Sequence, residues 1–454
     1  MIRRRRAGIA AAALTLIAGL FTPVACAAAS AEEAATLRTT LTPLGGERAG
    51  NREGTIPPWT GGYATPIPGE QPEGRRGDPF AVEKPLFSIT SKNVDQYADK
   101  LTDGVKAMLA KYPDTYRVDV YPTHRTAIAP QWVYDNTFRN ATRAKIVNDI
   151  VEDAFGGIPF PIPKSGEEVM WNHLLRWRGE SVFSDYRQYQ LTSDGRTIMT
   201  REGTIEHQFP YYFRDGSAET FKGDYWVLRI SDTGPPIHVG EMLVGRANVD
   251  EATSKLWVYL TGQRRVRRLP VTCCDVPAPP TSGLMSLDEI AVWQGRLTRF
   301  DWKIVGKREM YIPYNANREL QPPRDADVIG KHHLVPDYVR FELHRVWVVE
   351  ATLRAGQRHQ APKGRYYVDE DTWIAVLGDR WDANGQLWKT IWSLPTVMPD
   401  FPGTLNLSFG FNDLLTGAAF VSDLYNESKS QFRPVKRYPD TTFTPDAMAG
   451  EGIR

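Results

Sequence analysis

The side chains with most chemistry to offer stand in one short run. Lys255-Leu256-Trp257-Val258-Tyr259-Leu260 is an aromatic-aliphatic stretch, and Thr261-Gly262-Gln263 turns it directly into Arg264, Arg265, Val266, Arg267, Arg268 and Leu269. Four guanidinium groups cannot all be core, so they line an edge or a mouth. There they can pair with carboxylates, lipid phosphates or the acidic face of a partner protein. A solvated basic edge that blocks strand-to-strand aggregation is the plainer alternative. Other reactive types are scattered. His332-His333 are neighbours whose rings would leave a strand on opposite faces, a poor chelate, and His173, His207, His238 and His359 stand alone. Asp369 and Asp371 bracket a turn, where Asp is favoured by turn chemistry itself. The G-x-S-x-G, H-E-x-x-H and phosphate-loop patterns are absent, so no catalytic residue is assigned. No Cys/His spacing suits zinc, and neither a metal nor a cofactor is implied. An adjacent pair such as Cys273-Cys274 closes only a strained ring, which excludes a disulfide framework and leaves two ordinary thiols at a strand end.

The elements that must carry these residues fall into three textures. Residues 41–90 are dominated by Gly and Pro, which predicts an extended arm lying across the body, with Trp59 and Phe80 as anchors. Ser91 to Lys111 places Val94, Tyr97, Leu101, Val105 and Met108 on one helical stripe. Further helices are predicted over Asn136 to Phe155 and Glu167 to Arg178. From Asp185 onward strand signals follow one another: 186–191 and 197–202 around a turn at 192–196, then 225–230, 240–248, 256–260 and 264–269. The series continues with 302–312, 338–353, 365–369, 373–381 and 386–392, the last two joined by Asn384-Gly385, the strongest short hairpin signal in the chain. Helices that precede strands, and strands joined by short turns, predict an α+β arrangement with an antiparallel meander that curls. Along 338–353, Val339, Phe341, Leu343, Trp347, Val349 and Ala351 share one face, and Arg345 falls among them. That arginine is either one half of a salt bridge inside the sheet or the wall of a groove that meets an anionic or polar head.

The first residues read as an export signal: the Arg3–Arg6 cluster, an apolar stretch from Ala7 to Phe21, and small residues that permit cleavage at 27–31. Pro23 three residues before Cys26 argues for release over lipidation at that cysteine. The apolar run is shorter than a membrane span, which needs about 20 residues. Pro-rich composition (33 in all) and irregular strand spacing argue against a membrane barrel. Lys+Arg 55 against Asp+Glu 54 gives a formal net charge of +1, which is not the balance of a nucleic-acid binder.

Several words of the sequence recur together in one family. Gly50-Asn51, Gly54-Thr55-Ile56-Pro57, Trp59-Thr60-Gly61-Gly62, Asp301-Trp302-Lys303, 307–315 and 342–351 resemble, in the same order, the bacterial DUF1329 proteins. The tryptophan-to-arginine stretch near 257–268 is similar to outer-membrane lipoprotein-sorting (LolA/LolB-like) proteins. The resemblance implies an unclosed β-barrel of about eleven strands capped by helices, with an apolar interior for acyl chains. It also implies a link to membrane exporters of the resistance-nodulation-division (RND) type or to outer-membrane proteins. The expectation is therefore a large curved antiparallel sheet with helices on one side. Residues 1–31 form the signal, 32–90 the extended arm, 91–180 a helical lid and 181–454 the half-barrel. Such a chain is a non-catalytic periplasmic carrier of a lipid or other hydrophobic molecule, placed in or near the outer membrane. An exporter adaptor and an envelope hydrolase are the alternatives. Trp257, Tyr259, Phe341, Leu343, Arg345 and Trp347 are the candidate ligand contacts, and Arg264, Arg265, Arg267 and Arg268 the candidate headgroup or partner contacts.

Overall fold

The computed structural model describes residues 28–70, 76–270, 274–428 and 431–452. Most of the expected signal, including Cys26, lies outside them, as does Cys273. Short strands β1 (Phe87–Ile89) and β2 (Val118–Val120) and a small hairpin, β3 (Lys145–Val147) with β4 (Ile150–Glu152), precede two long meanders. The first comprises β5 (Ser181–Leu191), β6 (Thr197–Gln208), β7 (Asp224–Gly234), β8 (Met242–Asn248), β9 (Lys255–Leu260) and β10 (Arg265–Arg268). The second comprises β11 (Phe300–Pro313), β12 (Phe341–Leu353), β13 (Lys363–Asp369), β14 (Ala375–Trp381), β15 (Leu387–Met398), β16 (Gly403–Asp413) and β17 (Ala419–Leu424). A last short strand, β18 (Arg433–Pro434), pairs with β5.

Within each meander every strand pairs antiparallel with the next, and β17 then pairs with β5. That pairing fuses the meanders into one sheet of 16 strands. Its long edges, β10 and β11, follow each other in the chain yet do not pair, so the curved sheet stays unclosed. Among the described residues parallel pairing occurs at one register point, Phe341 opposite Val120, which makes the sheet mixed. The turns at Gly195 and Gly385 are three-residue loops with a left-handed glycine (φ +84° and +75°), the geometry that adds a bulge and keeps the right-handed twist. Strands β16 and β17 went unread in the sequence.

The helices are shorter than their sequence signals. The stripe over 91–111 is split: a 3₁₀ segment, Val94–Lys100, ends where Leu101 is extended, and Thr102 restarts the chain by accepting the Val105 N–H. The resulting helix spans Asp103–Lys111. A second, Gln131–Arg143, starts after Pro130 and ends well before Phe155, because the β-branched run Ile146-Val147 and Ile150-Val151 forms β3 and β4 about a left-handed Asn148-Asp149 turn. A third, Gly166–Leu174, is capped by Ser165. It is pressed so closely on β11 that a Cβ at Gly166 would lie 2.7 Å from the Lys303 backbone nitrogen. The helices divide between the two faces. Asp103–Lys111 packs Gly104 against Asp379 and Thr390, on the face of β14 and β15 opposite the one that buries Ile391 beneath helix Gly166–Leu174. No helix among the described residues is long and apolar enough to cross a membrane.

The segment expected as an extended arm opens on helical turns, Ala31–Ala35 and Thr36–Arg38, and is anchored further on. Trp59 donates its indole N–H to the Ala127 carbonyl (3.1 Å), and Phe80 stacks on His124 at 4.1 Å.

Candidate ligand cavity

Strand alternation sends one residue set of β6–β9 inward. Ile205 and His207, Leu228 and Ile230, Leu243 and Ala247, and Leu256 line a cavity of about 200 Å³. Leu405, Leu407 and Phe409 of β16 close the opposite wall. Gly245 stands at the centre of β8 between Leu228 and Leu256 in register, and a Cβ there would lie 2.7 Å from Leu228 Cδ2. The hollow exists partly because that position has no side chain. Its volume exceeds the ~150 Å³ that accommodates a benzene-sized guest in an apolar pocket.

The connection between β10 and β11 covers this hollow, with Thr281, Leu287, Ile290, Ala291, Gln294 and Arg296 facing it. The cover is fastened at several points. Arg380 pairs with Asp288 (3.2 Å), His359 with Asp288 (2.7 Å) and Lys389 with Glu289 (2.9 Å). Burial alone would raise the Asp288 carboxyl, but Arg380 and His359 hold it well below the usual carboxylate range. At the far end Glu251 accepts the Leu297 N–H (2.6 Å) and the Thr298 hydroxyl (3.0 Å). The residues covering the cavity thus come chiefly from 281–296 and not from the helical segment 91–180.

From that segment come two arginines just beyond the helix Gly166–Leu174. Arg176 and Arg178 both line the cavity and are 2% and 9% exposed. Arg176 donates to the His173 carbonyl and to Asn406 Oδ1; Arg178 donates to the Leu174 carbonyl at 2.9 Å and lies over Phe209 and Trp226. Burial, and for Arg176 also the charge on Arg178, lowers both guanidinium groups, Arg178 to about 10. His207 accepts the Trp226 indole N–H (3.0 Å) at Nδ1, and burial brings it down to about 3, so it is neutral. Glu251 and Asp423, also in the wall, are pushed up to about 7 by burial. The run Leu174-Leu175-Arg176-Trp177-Arg178, two arginines inside an apolar stretch, is the sequence signal for this site and is not among the residues expected above.

The residues singled out in the sequence are dispersed. Leu256 and Val258 face inward, so Trp257 and Tyr259 lie on the other face, packed with Val227, Val244, Phe443 and Met448 beneath the C-terminal helix Pro445–Gly452. Both faces of β9 are apolar, and alternation alone gave no choice between them. Phe341 and Leu343 belong to a separate core with Val118, Val120 and Ile312. Trp347 is half-buried beside Trp373 with Lys307 over its ring. Arg345 is an ion-pair residue, on Glu370 (3.3 Å) and the Ala49 carbonyl (3.0 Å) of the arm. Arg264, Arg265, Arg267 and Arg268 lie on or beside edge strand β10, largely exposed, and no ion pair joins them to the described residues. Cys274 is buried and disulfide-bonded, which overturns the reading of two ordinary thiols.

A buried polar network lies beneath the arm. Arg125 holds both oxygens of Asp371 (2.6 and 2.8 Å), Arg340 pairs with Glu342 (2.5 Å), and Glu342 holds His344 Nε2 (3.1 Å). His344, Asp369 and Asp371 bring one ring nitrogen and two carboxylate oxygens within 4.8 Å of one another. With Arg125 already on Asp371, the group reads as the ion-paired clamp that fixes arm to sheet.

An unclosed curved sheet with a covered apolar hollow on its concave side is thus the class of molecule that sequence and fold define. The DUF1329 family model, described as a protein of unknown function, matches residues 88–449. An uncharacterised Pseudomonas aeruginosa protein is 38% identical over 450 residues, covering 94% of this chain and 95% of that one. The chain belongs to the DUF1329 family. Solved structures with partial similarity include a DUF1329 family protein from Desulfovibrio piger (15% identity, 60% of this chain and 92% of that one, TM-score 0.41). Another is a putative outer membrane lipoprotein-sorting protein domain from Vibrio parahaemolyticus (11% identity, 63% and 98%, TM-score 0.44).

Proposed function

We propose that this protein is an exported, periplasmic carrier that binds a lipid or another hydrophobic small molecule and passes it on without chemical change. The observation that carries the reading is the apolar cavity between β6–β9 and β16, kept open at Gly245 and covered by 281–296. Burying an alkyl chain there is worth about 0.8 kcal/mol per methylene and needs no cofactor. Protein isolated from its native envelope, extracted with organic solvent and examined by mass spectrometry, is expected to release a stoichiometric amphiphile. Protein that is empty at full occupancy of the fold removes the reading.

The exposed arginines on the open β10 edge favour a second role beside the first, docking to the acidic face of a membrane exporter or outer-membrane partner. Arg264→Glu with Arg267→Glu is expected to weaken that association and leave ligand loading intact.

A further inference from the structure

Six buried arginines elsewhere in this molecule follow one rule, each meeting a carboxylate. Arg76 sits on Asp400 (2.6 Å), Arg125 on Asp371 (2.6 Å), Arg340 on Glu342 (2.5 Å), Arg380 on Asp288 (3.2 Å) and Arg345 on Glu370 (3.3 Å). Arg201 likewise meets Asp232 and Glu241. Arg176 and Arg178 break the rule. Among the described residues no carboxylate comes within 4.0 Å of either, and their hydrogen bonds go to neutral acceptors: carbonyl and amide oxygens and, for Arg176, the His173 Nδ1 at 3.3 Å. Among the described residues the Arg178 Nε–H has no hydrogen-bond partner. A buried ion without a counter-charge costs several kcal/mol, and neutral acceptors satisfy hydrogen-bond geometry without neutralising charge. Both side chains line the apolar cavity, next to half-buried His207, which keeps Nε2 as a ring donor because Nδ1 accepts from Trp226.

We infer that the cavity takes an anionic amphiphile, with the carboxylate or phosphate of its head set on Arg176 and Arg178 and its alkyl chain laid against Leu228, Leu243 and Leu407. The inference rests on the carrier reading and names its ligand class. Planar guanidinium groups suit both head types, because each can be held by paired N–H donors. The chain supplies affinity by burial, and the arginines select the head.

The test is titration calorimetry on the full mature chain with decanoate, decyl phosphate, decanol and inorganic phosphate. Expected is binding of one or both anionic decyl probes about ten-fold or more tighter than decanol, the scale of a charge-assisted hydrogen bond. The relative affinities of decanoate and decyl phosphate then say which head the site prefers. Arg178→Gln should erase most of the preference by weakening the anionic probes toward decanol, and Arg178→Lys should restore part of it. Arg176→Gln provides a second reading should the first variant fold poorly. Equal binding of decanol and both anions by the unaltered protein overturns the anionic head but leaves the carrier. Inorganic phosphate binding as tightly as decyl phosphate also overturns it, since the chain would then play no part. Failure of all three decyl probes to bind removes the carrier reading and this inference together.

Discussion

Over β11–β17 the concave face of the sheet is filled. Val349, Tyr366, Val368, Ile391, Phe411 and Phe420 close on Trp171 and Leu174 of the helix Gly166–Leu174 and on Trp293 and Trp373. Over β6–β9 the same face meets chiefly the connection 281–296, carries a glycine at its centre and retains a hollow. The two regions share one ladder through β17 and β5, so the filled half serves as a rigid frame for the open one. The contrast teaches that concavity alone does not make a cavity. A curved sheet collapses onto whatever apolar element the chain supplies, and space survives only where that element is withheld and a cover is tied down by ion pairs.

The comparison breaks if both halves respond alike to truncation. Trp171→Ala, in the filled half, should cost about 3–5 kcal/mol in urea denaturation, whereas Leu228→Ala, which already faces space, should cost roughly 1 kcal/mol. Next in size is the cover. Asp288→Ala leaves buried Arg380 with only the longer Glu289 contact (3.8 Å) and should cost about 3 kcal/mol, read as a lower unfolding midpoint. Because the Asp288 pKa is depressed on folding, its contribution is intact above the ordinary Asp value and is lost as pH falls through the folded value.

Acids with the opposite shift sharpen the contrast from the alkaline side. Burial pushes Glu319 up to about 8 and Asp423 to about 7. A raised carboxyl favours folding below its unfolded pKa and loses that advantage as pH rises through the folded value. Stability should therefore decline from pH 5 to pH 8, and Glu319→Gln should flatten that decline by on the order of 2–4 kcal/mol, measured as urea midpoints at the two pH values. Gly245→Val, which pushes Leu228 aside, should cost about 1–3 kcal/mol yet leave the protein folded and without a co-purifying amphiphile, as judged by mass spectrometry. Arg267→Glu, on the exposed edge, should move stability by less than about 0.5 kcal/mol.

How much of this was legible in the sequence depends on what each residue faces. Meander, turns and arm could be read because Gly195, Gly385 and the prolines of 57–85 act locally. The split at Leu101-Thr102 and the β3–β4 hairpin could not, because a side-chain cap and a left-handed Asn-Asp turn overrode an apolar stripe that looked continuous. The cavity wall was invisible for a different reason. Trp257 and Tyr259 are the conspicuous side chains of β9, yet the helix Pro445–Gly452 covers them from outside, and the unremarkable Leu256 faces the ligand space. Arg345 drew attention as a charge in an apolar face and proved to be paired with Glu370. Arg176 and Arg178, without a carboxylate partner among the described residues, sit in a run that looks like the end of a helix.

The carrier account stands or falls on what enters the space between β6–β9 and β16. Crystals of the protein soaked with a bromine-tipped long-chain alcohol, and measured at the bromine absorption edge, locate an alkyl chain directly. The account predicts anomalous density enclosed by Leu228, Leu243 and Leu407, lost in Gly245→Val. Bromine found solely on the outer surface, with the hollow holding ordered water in both proteins, would contradict it.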